Sequence, residues 1–157
     1  MLETPHVAVG AAIAVAIPNP FIAIPLAFAS HFVLDIVPHW NPHSYTEVQK
    51  FGKISVNTKI IALVDVGLAL GLGFFIASQV PSQSHFITII LASFASVLPD
   101  VSKSPYFLLG FRDGLLKKWV DFERSLQVET NFVVGMAVQI LVIVAALIWI
   151  SQYTPKF

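Results

Sequence analysis

Apolar residues fall into five runs along the chain, separated by short turns and two long polar connections. The runs cover roughly residues 6–17, 20–37, 57–80, 84–98 and 131–150. A helix over the last run would be ~28 Å long, enough to cross the hydrocarbon core of a bilayer. The pattern therefore predicts an all-α fold, a polytopic helical membrane protein with about five hydrophobic segments.

The starts of the first two runs carry the same sequence signal. Thr4 precedes Pro5, and Asn19 precedes Pro20. A side-chain oxygen at the cap followed by proline in the first turn is typical of a helix start. We therefore expect helices that begin at these prolines, the second of which ends at Pro38.

The first and fourth runs are too short to cross a bilayer alone. Each has about a dozen apolar residues, or ~18 Å of helix. Such a helix can span only if its polar end lies below the membrane surface, in a hydrated or protein-lined depression. These polar ends carry His6 and Asp100, which makes both residues candidates for a sunken site.

Composition supports the membrane assignment and narrows the partners. Of 157 residues, 56% are hydrophobic and 11% are charged, and the mean hydropathy is +0.78. We expect residues 1–157 to form a single integral membrane domain. The net charge of +0 is not that of a nucleic-acid-binding surface. The chain has no cysteine, so it contains no disulfide and no thiolate metal site.

The distribution of positive charge predicts the topology. Eight of the nine Lys and Arg residues lie in or beside the two long connections, 38–56 and 101–130. These connections are therefore expected to face the cytoplasm of a cell inner or plasma membrane, with the N-terminus inside and the C-terminus outside. The second connection, from Ser104 and Pro105 onwards, has the apolar and charged spacing of an interfacial amphipathic helix, which would cover a site or serve as an ordinary connector.

This topology brings six polar side chains to one leaflet. They are His6, His31, Asp35, His39, Asp65 and Asp100. His31 and Asp35 are four residues apart and share a helix face. Each residue alone is also explained by a local hydrogen bond or an interfacial position. Together, imidazoles and carboxylates predict a divalent-metal site, with zinc as the expected ion and Asp35, Asp65 or His39 free to act as a base.

Four short motifs carry a family resemblance. They are the segment 4–10 (TPHVAVG), Ser30-His31 with Asp35, Pro38-His39, and Leu98-Pro99-Asp100. Together they resemble the small membrane-bound metal-dependent hydrolases of the LexA-regulated, DUF457 type, and the His-x-x-x-Asp element is similar to that of bacterial zinc-dependent phospholipase C enzymes. The resemblance implies that His6, His31, Asp35 and Asp100 are metal ligands, with His39 close by.

The chain also departs from that family pattern in the order of its elements, since Ser30-His31 stands early, and at two places in its residues. Ser102 and Lys103 stand where the family often has an Asp and a His. Residues 122–125 contain no His where the family often has a His-rich segment. The set of available ligands is therefore smaller here.

Three functions are compatible with these features. The leading hypothesis is metal-dependent hydrolysis of an ester or phosphoester, with a lipid-like or membrane-borne substrate. The first alternative is proton- or ion-coupled transport, with Asp65, His31 and Asp35 as a polar relay. The second is a catalytically degenerate membrane scaffold. The sequence leaves the substrate and the oligomeric state open.

Overall fold

The computed structural model describes residues 1–154, which form seven α-helices and one π-helical turn. The elements are α1 (Glu3–Ala16), α2 (Pro20–Ile36), α3 (Ser44–Phe51), α4 (Val56–Ser78), α5 (Gln83–Ser104), the π-turn (Pro105–Leu109), α6 (Gly114–Leu126) and α7 (Phe132–Ser151). These described residues include no β-strand, which confirms the all-α prediction. The last three residues of the expected domain, with the predicted outside C-terminus, lie beyond the described range.

The short helix α1 lies at the centre of the bundle. It packs against α2, α4, α5 and α7. Ala8, Ala11 and Ala14 on α1 are completely buried. Small side chains on a central helix let neighbouring backbones approach closely, which is the usual way for helices to associate in membranes. The longer helices around α1 therefore cover most of its fourteen residues.

The helices α1 and α5 approach each other closely at Gly10. A Cβ atom added at Gly10 would lie 2.7 Å from the Cβ and Oγ atoms of Ser96 and 3.0 Å from the carbonyl oxygen of Ala92. His6 lies one turn before Gly10 on α1, and Asp100 lies one turn after Ser96 on α5. Because the two helices run in opposite directions, this crossing brings His6 and Asp100 to the same end of the bundle.

The structure confirms one of the two predicted helix starts, the one at Pro20. The side chain of Asn19 accepts a hydrogen bond from the backbone N–H of Phe21 at 3.0 Å, and α2 begins at Pro20 as expected. The prediction that Thr4 caps the first helix is wrong, because α1 already begins at Glu3. Its cap comes from another helix, since Asp65 on α4 accepts hydrogen bonds from the backbone N–H groups of Glu3 and Thr4.

Three helical segments are long and apolar enough to cross a membrane. They are Val56–Ser78, Gln83–Leu109 and Phe132–Ser151. The prediction that the fourth segment is too short to cross is wrong, because α5 continues through Pro99 to Ser104. Packing against neighbouring helices allows a proline inside a membrane helix, since the freed backbone group can find other partners. The fourteen-residue α1 and seventeen-residue α2 are shorter, so five crossings remain a prediction.

The two long polar connections fold against each other. The first contains the helix α3, which the sequence pattern did not predict. In the second, the predicted amphipathic stretch forms α6, which begins at Gly114 and not at Ser104. Val48 of α3, Tyr106 of the π-turn and Val120 of α6 form one small buried cluster. These elements stand at the end of the bundle that carries His6 and Asp100.

The Gly10→Ala variant tests the close crossing of α1 and α5. The added methyl group would overlap Ser96, so we expect a loss of about 1–3 kcal/mol in the free energy of unfolding, measured in detergent micelles. Gly67→Ala is the matched control, because an added Cβ there meets nothing within 4 Å. Equal stability of the two variants would contradict the assigned crossing.

Candidate metal centre

His31 on α2 is held in one orientation by α5. Its Nδ1–H donates a hydrogen bond of 2.8 Å to the carbonyl oxygen of Ser96. A proton on Nδ1 leaves the lone pair on Nε2 free, which is the form of histidine that binds metals. The His31 Nε2 atom is buried and has no hydrogen-bond partner among the described residues.

His6 on α1 lies directly against the His31 ring. The two ring centroids are 4.1 Å apart and the ring planes are inclined by 18°. His6 is completely buried, and neither of its ring nitrogens has a hydrogen-bond partner among residues 1–154. Buried polar atoms without hydrogen-bond partners are rare, so these nitrogens of two stacked rings indicate a position where a ligand binds.

The carboxylate of Asp35 lies between the two imidazoles. Its Oδ1 is 3.5 Å from His6 Nε2, and its Oδ2 is 3.4 Å from His31 Nε2. Oδ1 also accepts a hydrogen bond of 2.6 Å from the α-amino group of Met1. Asp35 is 1% exposed, so it supplies negative charge to the interior of the bundle.

Asp100 on α5 completes the group. One of its oxygens lies 3.8 Å from His31 Nε2. A nitrogen of His6, a nitrogen of His31 and an oxygen of Asp100 all lie within 4.8 Å of one another. The side chain of Asp100 is 16% exposed, whereas the two histidines are buried. His6, His31 and Asp100 therefore form a candidate metal centre with one accessible edge.

The donor set of this centre suits a divalent metal ion. Two imidazoles and one carboxylate are a common protein ligand set of catalytic zinc, which keeps a fourth position for water or substrate. Each imidazole can offer one unpartnered ring nitrogen to such an ion. The sequence prediction of a metal site is thus supported at the level of a His/His/Asp group, while the identity of the ion stays a prediction.

A cavity of about 250 Å³ reaches the centre at Asp100. Glu3, Asp65 and Lys103 line it together with Asp100. The rest of its wall is mixed: apolar side chains such as Ala62, Val66 and Leu108 line one part, and polar side chains of the segments 41–46 and 124–129 line another. We call this space the entry cavity, because it leads from the partly exposed Asp100 to the polar connections.

Asp65 lies at the wall of the entry cavity and binds α1. Besides the two backbone N–H groups of the α1 start, its Oδ1 accepts a 2.6 Å hydrogen bond from Thr4 Oγ1. Its hydrogen-bond partners on the described residues are therefore in α1, and neither His31 nor Asp35 is one of them. The predicted roles of Asp65 as ligand, base or relay group stay predictions.

His39 lies beyond the end of α2, and its ring nitrogens contact residues close to it in the sequence. Its Nδ1–H donates to the carbonyl oxygen of Val37 at 2.8 Å, and Asn41 Nδ2 lies 3.1 Å from Nε2. Burial lowers the pKa of His39 below its ordinary value, and the nearby α-ammonium of Met1 acts in the same direction. The predicted role of His39 as ligand or base stays a prediction.

Lys103 and Glu123 were missed by the sequence analysis. Lys103 Nζ lies 2.5 Å from Asp100 Oδ1 and also contacts the carboxylate of Glu123 on α6. Burial raises the pKa of the Glu123 carboxyl, and the Lys103 ammonium partly offsets this effect. The available signal was the spacing of Asp100 and Lys103, which are three residues apart on one helix face.

Glu3 is a third residue that the sequence analysis did not select. It lines the entry cavity, and its Oε2 is buried without a hydrogen-bond partner among the described residues. Glu3 and His6 lie three residues apart, on the same side of α1. An acidic residue in the first turn of a helix is common, so no local pattern marks Glu3 as a site residue.

The Lys103→Met variant tests the buried charge network. Removing the ammonium leaves the carboxylates of Asp100 and Glu123 without a counter-charge, which should cost about 3–5 kcal/mol of unfolding free energy. Adding Glu123→Gln should recover part of this loss, as a double-mutant cycle in micelles would measure. The exposed pair of Lys117 and Asp121 gives the control, since Lys117→Met should leave the unfolding free energy nearly unchanged. No recovery in the double variant would contradict the network.

Comparisons with known proteins add no family assignment. The chain matches no family model, no curated protein and no solved structure. The resemblance seen in the short motifs is therefore not tested by these comparisons. What supports a function is the geometry of His6, His31 and Asp100 and the entry cavity beside them.

Proposed function

We propose that this chain is a membrane-embedded, metal-dependent hydrolase that acts on an ester or phosphoester of a lipid-like molecule. One observation carries the proposal: unpartnered, buried nitrogens of His6 and His31 converge with a carboxylate oxygen of Asp100 at the edge of a cavity. A purely structural metal site would be closed on all sides. Here the edge at Asp100 gives a bound ion access to small molecules.

Zinc is the ion that this ligand set favours. Neutral imidazole nitrogens suit zinc and other late first-row metals, and calcium and magnesium prefer oxygen ligands alone. The divalent cation, when bound, supplies Lewis acidity that activates water and polarises the bond to be hydrolysed. The protein supplies orientation: Ser96 fixes the His31 ring, and Lys103 holds the carboxylate of Asp100.

Glu3 is the group that we propose to accept a proton from the attacking water. Its Oε2 atom has no partner, and the side chain lines the entry cavity together with Asp100. Asp35 is less accessible, since it is 1% exposed and already bonded to Met1. We therefore assign Asp35 to positioning the two imidazoles and Glu3 to general base catalysis.

The walls of the entry cavity support a lipid-like substrate. Ala62 and Val66 of α4 and Leu108 of the π-turn line it. Val66 is 42% exposed and Leu108 is 64% exposed, and both belong to segments that are apolar enough to span a membrane. An amphiphile in the surrounding leaflet could place its apolar part against these side chains and its polar part near Asp100.

The arrangement of the charges supports a cytoplasmic position for the centre. Lys53, Lys59 and Arg112 lie beside Phe107 and Leu108, which also line the entry cavity. His85 lies at the other end of α1, away from these cations, where its Nε2–H donates a hydrogen bond to the carbonyl oxygen of Ala14. By the positive-inside tendency, the end that carries the cations and the metal ligands faces the cytoplasm of a cell inner or plasma membrane.

Metal analysis tests the first part of this proposal. Purified protein is expected to retain zinc in about one-to-one proportion, and chelation should lower its unfolding temperature, because an ion that binds only the folded state stabilises it. His31→Ala and Asp100→Asn should each lose most of the metal. His85→Gln is the matched control and should retain it. Metal-free protein whose stability does not respond to zinc or a chelator would contradict the proposal.

Hydrolysis in micelles tests the second part. Zinc-loaded protein should hydrolyse chromogenic ester or phosphoester amphiphiles, and Glu3→Gln should lower kcat by roughly 10²–10⁴-fold while the zinc content stays unchanged. Glu129→Gln is the control, because Glu129 lines the same cavity but bonds Arg124. No hydrolysis by zinc-loaded protein would instead support the scaffold alternative. An equal loss in both variants would refute the role of Glu3.

A further inference from the structure

A second cavity, of about 260 Å³, lies where the loop between α3 and α4 meets the end of the π-turn. Lys53, Lys59 and Arg112 line it, and none of the described lining residues is acidic. Three positive charges around one small space repel each other unless an anion lies between them. The charge of the cavity therefore indicates an anionic ligand.

Arg112 is held at this cavity by one hydrogen bond, and another of its N–H groups has no partner among the residues described. Its Nη2 donates a hydrogen bond of 2.5 Å to the carbonyl oxygen of Gly52. Its Nε is buried and has no hydrogen-bond partner in the described range 1–154. A guanidinium group presents several N–H donors in one plane, which fits the oxygens of a phosphate group. The unpartnered Nε is the second observation that indicates such a ligand.

The cavity lies at the level where two membrane-spanning segments end. One candidate span begins at Val56, one turn before Lys59, and the other ends at Leu109. Leu108 is 64% exposed and Leu109 is 66% exposed, so apolar surface adjoins the cations. The ends of spanning helices lie near the headgroups of the lipids, and juxtamembrane Lys and Arg attract anionic lipids.

We propose that this cavity binds the phosphate group of an anionic phospholipid from the surrounding leaflet. Lys53, Lys59 and the free Nε–H of Arg112 contact the phosphate, and the acyl chains lie along Leu108 and Leu109. Nothing in this assignment depends on metal binding or on hydrolysis. The lipid acts as a bound anchor that holds the loop before α4 against the π-turn.

Native mass spectrometry from micelles tests the site. Protein is equilibrated with phosphatidylglycerol, with phosphatidylcholine or with inorganic phosphate, and both the retained lipid and the unfolding temperature are measured. Lys53→Gln together with Lys59→Gln removes two cavity cations and leaves the Arg112 bond to Gly52 in place. Lys50→Gln together with Lys118→Gln removes the same charge from exposed positions that do not line the cavity.

The expected result is selective retention of phosphatidylglycerol by the unmodified protein and by the Lys50/Lys118 variant. The Lys53/Lys59 variant should bind it roughly tenfold to thirtyfold more weakly, as expected from removing two juxtamembrane cations. Equal retention of the two lipids, or equal weakening in both double variants, would overturn the proposal. Stabilisation by inorganic phosphate equal to that by phosphatidylglycerol would overturn it too, because the site would then bind a free anion.

Discussion

The close crossing of α1 and α5 at Gly10 and Ser96 is the constraint on which the rest of the structure depends. It places a short helix of small residues at the centre of the bundle. His6 lies one turn from Gly10, and Asp100 lies one turn from Ser96, so the crossing brings the two side chains opposite each other. The carbonyl oxygen of Ser96 also orients the ring of His31. A single packing contact therefore positions all three members of the candidate centre, although they come from three different helices.

Placing so many ionisable groups inside an apolar bundle requires mutual compensation. Three carboxylates of the site have a cationic or N–H partner: Asp100 has Lys103, Asp35 has the α-amino group of Met1, and Asp65 has the start of α1. The Nε2 atoms of His6 and His31 lie 3.5 and 3.4 Å from Asp35, but they make no hydrogen bond among the described residues. In a medium of low polarity, a polar atom without a hydrogen-bond partner costs folding free energy. Such atoms are typical of sites where a ligand supplies the missing partner.

Much of the fold and part of the site could be predicted from the sequence. Apolar runs located the long helices, and the spacing of His31 and Asp35 placed them on one face. The predicted end of the fourth helix at Pro99 is wrong. Proline would end an isolated helix, but packing against neighbouring helices lets α5 continue past it. The bond from Asp65 to the α1 start, and the meeting of Lys103 with Glu123, join residues far apart in sequence. No local pattern records such pairings, so only the packed structure reveals them.

X-ray absorption at the zinc K-edge tests the central claim most directly, because it reports the ligands of the ion itself. The account predicts a spectrum with two imidazole nitrogens and carboxylate or water oxygens at about 2.0–2.2 Å, and one imidazole contribution fewer in the zinc that His6→Ala still binds when the metal is added in excess. A spectrum without imidazole scattering, or one unchanged in His6→Ala, would show that the ion binds elsewhere and would contradict the account.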